Sequence, residues 1–125
     1  MRRLLPAIAS LLLFALAACS RAAAAPAATP DPLAAKGRGV FNARCATCHA
    51  LEPGTVIIGP SLAGIATQAG TRMPGYDARA YLELSIMQPQ AYIVDGFTDV
   101  MPRNFPKELT SEELDALIAF LLTLK

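Results

Sequence analysis

The 125-residue sequence has no tryptophan, a single histidine and three cysteines, and only 17% of its residues are charged. The lone histidine, His49, excludes a site built from several imidazoles and leaves no second ring to serve as an acid–base partner. Three cysteines are too few for a four-thiolate zinc site: Cys45 and Cys48 form one close pair, no second pair exists, and Cys19 stands far upstream. A formal charge of +1 carries no footprint for nucleic acid or for a strongly acidic partner. No alternating strand pattern of any length is present, which excludes the βαβ setting that a thioredoxin-like Cys-x-x-Cys pair requires. The apolar stretch from Leu4 to Ala18 is broken by Pro6 and Ser10 and falls short of the roughly 20 residues that cross a bilayer.

What is present begins with an export signal. Met1-Arg2-Arg3 supplies a positive start and Leu4 to Ala18 the apolar segment of a signal peptide. Leu16-Ala17-Ala18-Cys19, followed by Ser20, resembles the bacterial lipobox, in which the cysteine thiol receives a diacylglyceryl group and becomes the new N-terminus. The expectation is therefore a lipoprotein signal peptide over residues 1–18 and lipidation at Cys19; an ordinary signal peptide cut after Cys19, or an uncleaved anchor, is the alternative. Two or more acyl chains hold a protein on a membrane stably where one does not. Residues 19–32 then form the anchor and an Ala/Pro-rich linker, whose thirteen residues from Ser20 to Pro32 reach on the order of 40 Å when extended. The expected location is membrane-anchored, on the periplasmic or outer face of a bacterial membrane. Loss of Arg2 and Arg3 leaves nine basic residues against ten acidic ones, and only Lys36, Lys107 and Lys125 among the lysines. Basic steering toward an acidic dock is thus weak.

Residues 33–125 read as one all-α domain of three or more helices. Asp31 is a candidate N-cap with Pro32 at the first helical position, and Leu33, Gly37, Val40, Phe41 and Arg44 follow at helical spacing. Asp77 caps a second segment running to Gln88 and stopped by Pro89, with Tyr81, Leu84 and Gln88 on one stripe and Leu82 and Ile86 beside it. Thr110 and Glu113 form a capping box, and Leu114, Leu117, Ile118, Leu121 and Leu122 make an amphipathic face in the last helix. Residues 52–64, 70–76 and 92–107 read as Gly- and Pro-rich loops, too long for so small a domain unless something large and apolar organises them.

Cys45-Ala46-Thr47-Cys48-His49 is the C-x-x-C-H pattern of haem c attachment. One turn separates the two thiols so that they can add to the two vinyl groups of one porphyrin, and the adjacent His49 supplies a nitrogen to the iron. An export signal strengthens the reading, since haem c is attached outside the cytoplasm. One cysteine for the lipid and two for the haem leaves none over.

With Gly37 and Phe41 in the first helix, Gly59-Pro60 after it, Met101-Pro102, and Phe120 in the last helix, residues 33–125 resemble a class I c-type cytochrome, in particular small bacterial haem domains including those appended to oxidase subunits. The resemblance implies a cytochrome c fold packed around one covalent haem c and its iron. It implies that Gly37 and Phe41 meet the final helix near Phe120, that the Pro60 carbonyl takes the proton of the outer ring nitrogen of His49, and that Met101 is the second axial ligand. Met73, in Arg72-Met73-Pro74, is the rival, set before the middle helix where the family does not place its ligand; Met87 reads as core filling. Arg72, Tyr76, Tyr92 and Arg103 are candidate partners of the haem propionates, and the missing tryptophan departs from many relatives.

The function implied is that of an electron carrier, not an enzyme: single electrons pass between donor and acceptor redox proteins, with no small-molecule substrate and no nucleic acid. A fixed haem-bearing subunit of a membrane oxidase or reductase is the alternative. A peroxidase or gas sensor needs an open iron and a distal acid–base residue, and the sequence offers no second histidine for it.

Overall fold

The computed structural model describes residues 31–125; the expected signal segment, Cys19 and the linker as far as residue 30 lie outside the described residues. Asp31 and Pro32, assigned by composition to the end of that linker, are the cap and first residue of α1 (Pro32–Arg44), with the Asp31 carboxylate accepting from the Leu33 N–H. Then follow α2 (Ile65–Arg72), α3 (Ala78–Met87), a 3₁₀ turn at Pro89–Ala91, α4 (Phe105–Glu108) and α5 (Ser111–Leu121). Among the described residues there is no strand, only an isolated bridge between His49 and Val56.

Three helices begin where their side chains say they should. Asp77 accepts from the Ala80 N–H at 2.8 Å, and Thr110 and Glu113 close a reciprocal capping box. Those hydrogen bonds from Thr110 hold the Glu113 carboxyl below its usual range. The other two helices are not expected from the sequence: α2 lies mostly in the unassigned residues 65–69 and runs on into the stretch 70–76 read as a loop, and α4 overlaps the end of the stretch 92–107, which corrects those two loop readings. α2 starts at Gly64, which has φ +70° and no side chain to cap with, and it contains Gly70. α4 is a single turn that begins in a loop and contains Pro106. Neither has a capping signature or enough length to show a period.

The buried faces also differ in detail from the expected stripes. In α1, Ala34, Gly37 and Phe41 are buried while Leu33 is exposed. In α3 the buried side chains are Tyr81, Leu82 and Ile86; Leu84 is half-buried and Gln88 exposed, so the inner face is rotated by about a residue. α5 buries Ala116 and Phe120 in addition to Leu117, Ile118 and Leu121, because it is covered from two sides.

The main packing contact joins α1 to α5. A Cβ on Gly37 would lie 1.8 Å from the Ala116 carbonyl oxygen, so the two backbones touch at this point and only glycine admits the approach. Beside it, the rings of Phe41 and Phe120 pack with centroids 5.6 Å apart, and the Arg38 guanidinium lies over Phe120. Ion pairs Lys36–Glu112 and Arg44–Glu108 link the same two ends of the chain, but all four groups are well exposed and contribute little. Gly39, on the outer face of α1, has nothing within 4 Å of where its Cβ would be. Replacing Gly39 with Ala is expected to raise stability by about 0.5–1 kcal/mol through helix propensity. Gly37→Ala, two positions away, is expected to lower the denaturation midpoint sharply, and urea unfolding of both variants checks the contrast.

Candidate functional site: an apolar cleft closed by a histidine

The chain leaves α1 directly into the site. Cys45 caps the helix, its N–H bonded to the Phe41 carbonyl, and the N–H groups of Cys48 and His49 both bond to the Cys45 carbonyl, at 3.0 and 2.9 Å. This tight turn brings Cys45, Cys48 and His49 onto one wall of a cleft of about 1180 Å³, part of it open to solvent.

The segment after His49 doubles back to position the ring. The Gly59 N–H bonds to the Cys48 carbonyl at 2.9 Å and the Leu62 N–H to the Ala50 carbonyl at 2.8 Å. Ser61 Oγ ties to the Glu52 carbonyl, and Gly54, at φ +72°, makes the turn. The result places the Pro60 carbonyl oxygen 2.8 Å from His49 Nδ1. A carbonyl can only accept, so Nδ1 carries the proton and Nε2 keeps its lone pair for a metal. Donation from the outer nitrogen also fixes the ring and raises its basicity as a ligand.

Gly59 sets the ring from its other side. A Cβ there would lie 2.4 Å from His49 Cε1 and 2.9 Å from Nδ1. The imidazole is thus seated in a slot only a glycine leaves open.

The rest of the cleft is apolar. α3 contributes Tyr81, Leu82, Ser85 and Ile86, α5 contributes Leu117 and Leu121, and the segment from Pro89 to Pro102 closes the far wall with Tyr92, Phe97, Val100 and Met101. Tyr81 and Tyr92 meet edge to face at 5.8 Å between centroids. Of the three methionines among the described residues, Met101 lines the cleft; Met73, at the end of α2, and Met87, at the end of α3, do not. Of the four candidate propionate partners, Arg72 and Tyr92 line the cleft, whereas Tyr76 does not and Arg103 is paired with Asp99.

These residues fit a covalently held haem. Burial, reinforced by the neighbouring Cys48, pushes the Cys45 thiol up to about 11, so its sulfur is neutral at physiological pH. A thioether is likewise neutral and suits the same apolar position. A neutral imidazole nitrogen, two spaced thiols and a wide apolar cleft are the donor set and the surroundings of haem c. Ser85 and the steric role of Gly59 escaped the sequence: no motif marks the serine, and a glycine's closeness to a ring ten positions away has no local signal. Gly59→Ala in the haem-loaded protein is expected to push the imidazole off the Pro60 carbonyl, seen in NMR as loss of the slowly exchanging Nδ1 proton of His49; Gly39→Ala should keep that signal.

Residues 34–125, from the first turn of α1 to the last residue, match the family model described as Cytochrome c. No curated protein matches the chain at a significant level. A match over nearly three-quarters of the chain, on an all-α fold whose C-x-x-C-H turn opens into a fitting cleft, shows that the chain belongs to the cytochrome c family and carries haem c with its iron.

Proposed function

We infer that this electron carrier works as a membrane-tethered monohaem cytochrome, shuttling single electrons between respiratory-chain partners through an iron ligated by His49 and Met101. The observation that carries the reading is that Met101 shares the cleft with Cys45, Cys48 and His49 while Met73 and Met87 stay outside it.

The family's haem c supplies a one-electron iron couple. The chain's own residues do the rest. Cys45 and Cys48 hold the group by two bonds, His49 presents Nε2, and Pro60 keeps that ring from turning. Met101 would supply a neutral thioether as the second ligand, which would favour the reduced form relative to a second imidazole. Were His49 and Met101 both to hold the iron, oxygen and peroxide would find no open site, and the cleft would serve transfer of electrons rather than oxygen chemistry. The apolar walls exclude water and lessen the rearrangement that each change of charge requires.

Docking is through the cleft mouth. Ile58 and Val100 line the cleft and are still 54% and 59% exposed, so they give its mouth an apolar edge. With few lysines in the chain, such a rim suits brief contact with redox partners better than charge steering does. Export, lipidation at Cys19 and the linker complete the proposal: an anchored domain on the periplasmic or outer face stays at high effective concentration near membrane partners.

Met101→Ala is expected to abolish the long-wavelength sulfur–iron charge-transfer band of the oxidised protein, and Met73→Ala to leave it in place; the opposite pattern moves the ligand to Met73. Shortening the linker within residues 20–30 is expected to slow electron exchange with native membranes while leaving reduction by a soluble dye unchanged. An exchange rate with membranes that shortening leaves as unchanged as the rate with the dye would rule out the tether's role.

A further inference from the structure

Among the described residues, Ser85 Oγ is the sole buried side-chain nitrogen or oxygen without a hydrogen-bond partner. Ser85 lies on the cleft-lining face of α3, between Tyr81 and Leu82 one turn before it and Ile86 after it. A serine inside a helix commonly returns its proton to the carbonyl four residues earlier, here that of Tyr81, but this bond is not made. No other group accepts from it either, although Tyr81, Tyr92 and Thr98 line the same cleft. A buried hydroxyl that stays unpaired is costly, and alanine would fill the position without that cost. The hydroxyl therefore has its use in the loaded cleft, where new acceptors enter.

We propose that Ser85 is a positioning residue that sets the reduction potential: its hydroxyl donates a hydrogen bond to a lone pair facing α3 in the haem cleft, that of the Met101 sulfur or of a water enclosed beside it. The proposal rests on the reading of Met101 as the axial ligand and adds to it a control of how strongly the sulfur donates. A proton directed at the sulfur lone pairs draws electron density away from the iron. Its positive end also opposes the extra positive charge of the oxidised state, and in an apolar cleft that opposition is weakly screened. Both effects act in one direction, favouring the reduced form. Hydrogen bonding around axial ligands is one of the levers by which a protein shifts a haem potential.

The test uses the haem-loaded protein, with potentials from redox titration and the sulfur–iron band read in the same samples. Ser85→Ala is expected to lower the potential, raising the oxidised-to-reduced ratio at a fixed applied potential about threefold, or about 28 mV at 59 mV per tenfold for one electron. Ser85→Thr, which keeps the hydroxyl, is expected to stay near the parent value. The band should persist in both variants, displaced in Ser85→Ala if the sulfur is the acceptor and unmoved if a water is. An unchanged potential in Ser85→Ala, or equal shifts in the Ala and Thr variants, overturns the proposal. Absence of the band from the parent protein overturns ligation by Met101 instead, and Ser85 is then still judged on the potentials.

Discussion

The imidazole of His49 has to be held in one tautomer and one orientation, and most of the local structure exists to do that. Its Nδ1–H is bound to the Pro60 carbonyl, and its face rests in the slot that Gly59 leaves. Neither group could be there without the backbone ties that bring residues 58–62 back onto residues 48–50. If the ring is to ligate the iron, as proposed, one free to rotate would present a proton or a carbon for much of the time. A ring held by one hydrogen bond and one close contact presents a lone pair throughout.

The second requirement is that α1 be anchored, since its last turn leads directly into the two cysteines. The anchor is the close approach of Gly37 to the Ala116 backbone, flanked by the Phe41–Phe120 pair. α5 thereby serves two purposes. Its Ala116 and Phe120 side meets α1, while Leu117 and Leu121 face the cleft. A helix with two covered sides has a buried face wider than the single amphipathic stripe its sequence suggests. The same sharing lets a short chain line both a core and a cleft: α3 and α5 each build core with one face and cleft wall with the next.

Polar groups in that wall are few, and their states follow from burial. Cys45 is kept as a neutral thiol, in keeping with the neutral thioether that attachment leaves behind. Arg72 and Tyr92 reach the cleft, whereas Arg103 is engaged by Asp99 on the surface. The apolar rim at Ile58 and Val100 belongs to the same design of low local charge, in which the change on the iron is the principal electrostatic event.

The sequence by itself determined what depends on neighbours a few residues apart. The C-x-x-C-H turn and the caps at Asp31, Asp77 and Thr110 act through local geometry, and each is where residue type and spacing place it. α2 and α4 were illegible because one begins at a glycine with no side chain to cap it and the other is a single turn; packing against the core stabilises both. Only the tertiary structure decided which methionine reaches the cleft, that Gly59 seats a ring ten residues before it, and that Ser85, with its buried hydroxyl unpaired, lines the same cleft. Those facts depend on distances between segments far apart along the chain, which no local spacing encodes.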